Sequence, residues 1–165
     1  YLLSLRTFRG GTYGGGCSTF NRAAEYGKTV GAMPDGRRAG ESLADSVGAC
    51  PGRGVKGPTA HVLSAARYDQ RLAKSGYVLQ LKFDRALFSS PRGMDAFVAL
   101  ARTYFKKGGQ QLSVNVLDPD ELKAAKREPE KHRNLIVRVG GFSEYFVNLT
   151  PELQDNVIRR TAHGL

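Results

Sequence analysis

A chain of 165 residues with a formal charge of +10 is the size of one domain and can bury a fair core. Its basic residues are spread along the chain (Arg37-Arg38, Lys106-Lys107, Lys123 to Arg133, Arg159-Arg160), and Glu121, Glu128 and Glu130 interleave with the third group as on a solvated helix face. This disfavours a nucleic-acid module, which would gather basic residues among aromatics on one face, and points to a larger assembly whose remainder is more acidic.

Cys17 and Cys50 have no paired spacing, which suits a reducing cytoplasm better than a disulfide scaffold. His61, His132 and His163 form no zinc-ligand pattern with them, so no metal site is expected. Glycine and charge interrupt every apolar run, so neither a signal peptide nor a membrane span is expected. The chain begins at Tyr1 and not at Met, so its start is expected to be cut or processed.

Residues 1–60 read as loop-rich. Arg9-Gly-Gly-Thr-Tyr-Gly-Gly-Gly16 must bend sharply or pass close to something. A phosphate cradle is set aside, because Cys17 stands where a lysine would have to follow. Pro34-Asp-Gly36 and Pro51-Gly-Arg-Gly54 are turn signals. The run from Gly52 to Gly57-Pro58-Thr59 nearly spells a P-loop, but proline occupies the lysine position.

Residues 61–130 read as strand, helix, strand, helix. Tyr77, Leu79, Leu81 and Phe83 share one face of a strand. Ser90 and Pro91 suit the N-cap and first position of a helix, with Met94, Phe97, Val98, Ala101, Tyr104 and Phe105 as its apolar set. Lys106-Lys107-Gly108-Gly109 suits its C-terminus. A second strand follows, with Leu112, Val114 and Val116 inward. Asp118-Pro119-x-Glu121 then spells a capping box for a helix to about Arg127.

In residues 131–149, Leu135, Val137 and Val139 alternate with Ile136 and Arg138, the period of a buried strand. The strand runs straight into Gly140-Gly141, and bulk resumes at Phe142, Tyr145, Phe146, Val147 and Leu149. Taken alone, the glycine pair is a tight bend or bulge. Its flanks are odd for a surface turn, however, since such turns are polar on both sides. In residues 150–165, Thr150-Pro151 caps a last helix with Leu153, Val157 and Ile158 inward. The alternation of strands and helices favours an α/β class with parallel pairing.

Arg138-Val139-Gly140-Gly141-Phe142, followed by Phe146 and Leu149, resembles the C-terminal signature of the glycyl radical enzymes, the family of pyruvate formate-lyase, the B12-independent glycerol and diol dehydratases and choline trimethylamine-lyase. Gly31-Ala-Met-Pro-Asp-Gly-Arg-Arg-Ala-Gly40, Gly108-Gly-Gln-Gln-Leu-Ser-Val-Asn-Val-Leu-Asp118 and Leu149-Thr-Pro-Glu-Leu-Gln-Asp-Asn-Val-Ile-Arg-Arg-Thr161 resemble further stretches of that family, in the family's order. The resemblance implies that Gly141 is the catalytic radical carrier and that the chain is the C-terminal part of a ten-stranded α/β barrel. Residues 131–149 would then be its finger loop and 150–165 its terminal helix. It also implies that residues 26–60 lie across the barrel, near substrate or partner. The chemistry suits glycine: a Cα radical delocalises into both flanking amides only if the centre is nearly planar, and a Cβ would crowd that plane.

In the family the radical passes to a cysteine far upstream, and neither Cys17 nor Cys50 stands in a matching context. The resemblance therefore implies a chain that is inactive alone, working with a larger chain that brings the cysteine and the substrate pocket. It also implies a radical S-adenosylmethionine activating enzyme, which would hold the iron–sulfur cluster, since this chain has no motif for one. A spare part that restores an oxygen-damaged pyruvate formate-lyase is the alternative, and a basic nucleic-acid module the third reading. Gly140, Phe142-Ser143 and the ending Arg160-Thr161-Ala162-His163 lean toward the dehydratases and lyases, hence toward cleavage of a C–O, C–N, C–S or C–C bond in a small polar molecule.

Overall fold

The computed structural model describes residues 1, 4–17, 22–139, 141–159 and 162–163. Two short helices precede the sheet, α1 (Ala23–Gly27) and α2 (Gly57–Ala65). Pro58, which spoils a P-loop, lies in the first turn of α2, where its missing N–H costs nothing. The glycine-rich loop does pass close to a neighbour. A Cβ at Gly16 would meet Ser75 Cβ at 2.8 Å, and the Ser75 N–H donates to Gly15 O at 3.0 Å.

Strand β1 (Val78–Phe83), helix α3 (Pro91–Lys106) and strand β2 (Gln111–Val116) form a crossover unit. The two strands pair in parallel from Val78 with Gln111 to Phe83 with Val116. Ser90 Oγ accepts from the Gly93 N–H at 3.2 Å, and Gly108 closes α3 at φ +94°, so both ends of the helix are built as their residues predict. Helix α4 (Pro119–Arg127) starts under the Asp118 carboxylate, which accepts from the N–H groups of Asp120 and Glu121. Only this half of the capping box is made, because the Glu121 side chain turns to Arg85. Helix α5 (Pro151–Arg159) leads to β5 (Ala162–His163), which pairs in parallel on the other side of β1, giving the order β2-β1-β5.

The alternation of each strand divides the sheet into two unlike faces. Leu79, Leu81 and Phe83 pack with Val62, Ala65 and Tyr104 in a core under α2 and α3, where Phe83 meets Phe97 edge-to-face at 5.5 Å. The opposite face carries buried polar residues: Lys82, Ser113 and Asn115. A second core forms beyond that face from Leu117, Leu122, Ala125, Val137, Val139, Phe146, Leu149, Leu153 and Val157.

Three expectations are corrected. Met94, Val98 and Phe105 are exposed at 46%, 36% and 49%; the turned-in side of α3 runs through Gly93, Phe97, Leu100 and Tyr104. Apolar spacing broad enough to cover two sides of a helix does not show which side is covered. Val116 is likewise exposed while Ser113 and Asn115 are buried, because the polar face of β2 is covered too and the strand's end is not. Strand β3 (Ile136–Arg138) does not join the parallel sheet. It pairs antiparallel with β4 (Ser143–Tyr145), since two residues of turn can only send the chain straight back.

Candidate functional site

Hairpin β3–β4 is built on bulk and ends on glycine. Val137, Val139 and Phe146 are almost fully buried, at 1%, 0% and 0% exposure, while Gly141, Phe142 and Ser143 are exposed. The Val139 N–H donates to Phe142 O at 3.0 Å, so only positions 140 and 141 lie between the last bonded pair. Two-residue hairpin turns favour Gly-Gly. Gly140 itself is outside the described residues, as are Arg160 and Thr161. At the root, the Phe146 N–H donates to Leu135 O at 2.7 Å and Gln154 Nε2 of α5 donates to Phe146 O at 3.0 Å.

Leu135 and Val139 bond across to Phe146 and Phe142 of the returning chain, so the N–H and C=O of Arg138 point to the other edge of the ribbon. A buried edge would leave them unsatisfied. Asn115 of β2 answers both: its Oδ1 accepts from the Arg138 N–H at 2.7 Å and its Nδ2 donates to Arg138 O at 2.8 Å. Beside it, Lys82 Nζ donates to the last carbonyls of α5, Ile158 O at 3.1 Å and Val157 O at 3.4 Å. A cation there suits the negative end of the helix. Asp45, Cys50, His61, Lys82, Asn115 and Asn156 help to line a cavity of about 40 Å³, room for a water molecule or two and too little for a substrate. Asn156 Oδ1 is buried there with no protein partner, as such a water would require.

The other sequence candidates are placed elsewhere. Cys17 is half-buried and its Sγ donates to Ser46 O at 3.5 Å. Burial, and then the Asp35 carboxylate, push the Cys50 thiol above the ordinary range. His61 Nε2 accepts from the Ala49 N–H at 3.0 Å. Among the described residues no group of three His, Cys, Asp or Glu side chains could hold a metal ion. No helix among them is long and apolar enough to cross a membrane. In the Pro34-Asp-Gly36 turn, Arg37 is 2% exposed and points inward; its guanidinium donates to the carbonyls of Val30, Gly31 and Glu41. Arg37 therefore braces the 30–41 loop from inside.

Sequence reasoning named Gly141 and did not single out Asn115, Lys82, Asn156 or Arg37. For two of them the clue was present: an asparagine and a lysine in mid-strand are poor β formers and ask what covers their face.

Residues 43–147 match the family model described as "Glycine radical". Isethionate sulfite-lyase of Nitratidesulfovibrio vulgaris is 37% identical over 149 residues, covering 88% of this chain and 18% of the relative. The glycerol-bound B12-independent glycerol dehydratase from Clostridium butyricum superposes with a TM-score of 0.92 at 35% identity, covering 99% of this chain and 21% of that one. A structure from the study of 1,2-propanediol dehydration in Roseburia inulinivorans gives a TM-score of 0.91 at 36% identity, with 98% and 20% covered. The chain belongs to the glycyl radical enzymes, and its mixed α/β fold matches part of their lyases and dehydratases. It spans about a fifth of the length of the relatives it matches.

Proposed function

We propose that the chain is the radical-carrying C-terminal part or small subunit of a glycyl radical lyase or dehydratase, with the radical stored on Gly141. The observation that carries this reading is the hairpin, a buried, clasped base that ends on an exposed glycine within the span matching the family model. A radical S-adenosylmethionine enzyme would remove one hydrogen atom from Gly141 Cα. The Gly141 radical would take a hydrogen atom from a cysteine S–H of a larger chain, leaving a thiyl radical there. That thiyl would attack a small polar substrate, cleaving a C–O, C–N, C–S or C–C bond. The relatives named above act on isethionate or bind glycerol, in keeping with that class. Likeness over 98–99% of the chain, including residues 26–60, supports a barrel segment over a minimal spare part.

Anaerobic electron paramagnetic resonance of the protein with its activating enzyme and S-adenosylmethionine tests the proposal. A doublet that collapses on glycine Cα deuteration, with air-induced cleavage at Gly141, is the expected result. Gly141→Ala should give no doublet. A Gly141→Ala protein that still gave the doublet would overturn the assignment.

A further inference from the structure

The radical hairpin is not held by a sheet of its own. Among the described residues β3 pairs with β4 alone, and two strands make a marginal unit in water. Its contact-ready edge carries the Arg138 peptide, and the group that meets it is a side chain from the parallel sheet. Asn115 is 7% exposed and uses both ends of its carboxamide on the backbone N–H and C=O of that one residue. A carboxamide has the donor and acceptor of a peptide group, so Asn115 acts as a one-residue stand-in for a neighbouring strand. Arg138 lies three residues before Gly141, and in an extended chain three residues cover only about 10 Å.

We propose that Asn115 is the positioning residue for the radical. It fixes the Arg138 peptide to β2, so the place of Gly141 is set from the parallel sheet. The proposal rests on the reading of Gly141 as radical carrier. Packing alone would ask for any side chain of similar volume at this position. A clasp asks for a donor and an acceptor together, and an acid provides both only while protonated.

That difference supplies the test. In Asn115→Leu, with both bonds lost, the Arg138 amide should exchange with solvent deuterium about thirtyfold faster, about 2 kcal/mol at 1.4 kcal/mol per tenfold. Amides of the β1–β2 ladder should stay protected, which also shows that the variant folds. In Asn115→Asp the ionised carboxylate can accept from the Arg138 N–H but faces Arg138 O without a proton to donate. The repulsion between that carboxylate and Arg138 O should weaken protection near neutral pH, and protection should recover as the carboxyl is protonated. Asp45, His61 and Lys82 line the same cavity, and the Arg138 guanidinium bonds Ser143 Oγ, so the unaltered protein measured across the same pH range removes their titration. The glycyl radical doublet in Asn115→Leu should decay in air faster by a similar factor.

Arg138 exchange unchanged in both variants, or protection in Asn115→Asp that ignores pH, would overturn the clasp. A doublet that decays at the unaltered rate in Asn115→Leu would overturn the positioning role alone. No doublet even in the unaltered protein would bring down the Gly141 reading and the positioning role with it, while amide exchange would still report on the clasp.

Discussion

Phe142 and Phe146 are the same residue type, four positions apart in one hairpin, and the structure gives them opposite energetic weights. Phe146 is 0% exposed in the core of Leu117, Leu122, Val137, Val139, Leu149, Leu153 and Val157, whereas Phe142 is 45% exposed beside the turn. Phe146→Ala removes a fully buried ring and leaves a cavity, at a cost of ~3–5 kcal/mol. That is a large share of the ~5–15 kcal/mol that hold a domain folded, and corresponds to a melting point lower by roughly 6–20 °C. Phe142→Ala should change stability by no more than about 0.5 kcal/mol. Urea unfolding followed by circular dichroism separates the two, with the midpoint moving in Phe146→Ala and the slope staying constant. A cost below about 1 kcal/mol for Phe146→Ala would refute the second core as the anchor of the hairpin. A cost for Phe142→Ala as large as that for Phe146→Ala would refute the exposed tip.

Two further outcomes concern Arg37 and Cys50. Arg37→Ala leaves the carbonyls of Val30, Gly31 and Glu41 without their donor and should loosen the loop, seen as faster tryptic cleavage at Lys28 and Arg38; Arg37→Lys should not restore it, because one ammonium cannot span three carbonyls as the planar fork does. Unchanged cleavage in Arg37→Ala would mean the loop is held by other contacts. Cys50, whose thiol is pushed up, carries less thiolate at pH 8 than an ordinary cysteine, so its alkylation by iodoacetamide should be slower. Asp35→Asn removes a negative charge that favours the neutral thiol and should speed the reaction; no change would show that Asp35 does not contribute to the shift.

Much of the hairpin was legible in the sequence because its physics is local. The alternation of Leu135, Val137 and Val139 fixes which side is buried, and glycines 140 and 141 can serve only a turn or a close approach. The caps of α3 and α4 are local too, and Ser90 and Asp118 do what their positions predict. Pairing is not local. Nothing between 134 and 149 tells whether β3 will meet β1, β2 or its own return strand. The covering of a face is not local either: Met94 and Val98 look like core residues until α3 is placed, and Asn115 looks like a surface residue until Arg138 lies beside it. The inward turn of Arg37 is not local either, since only the carbonyls of Val30, Gly31 and Glu41, brought round it by the folded loop, show that it faces in.

A stored radical makes two opposing demands on its carrier: an activating enzyme must reach the Cα hydrogen, and oxygen must not reach the radical. On the radical reading, the hairpin meets the first as it stands. Val139 is buried and Gly141 is exposed without any part of the base having to unfold. It does not meet the second among the described residues, where Gly141 is exposed. On the radical reading, a shield over Gly141 would come from outside the described residues, in keeping with a chain that spans about a fifth of the length of its relatives. The chain's own contribution is placement. The second core holds the base of the hairpin, and Asn115 ties its edge to the sheet, so a shield built elsewhere meets the glycine in a defined place.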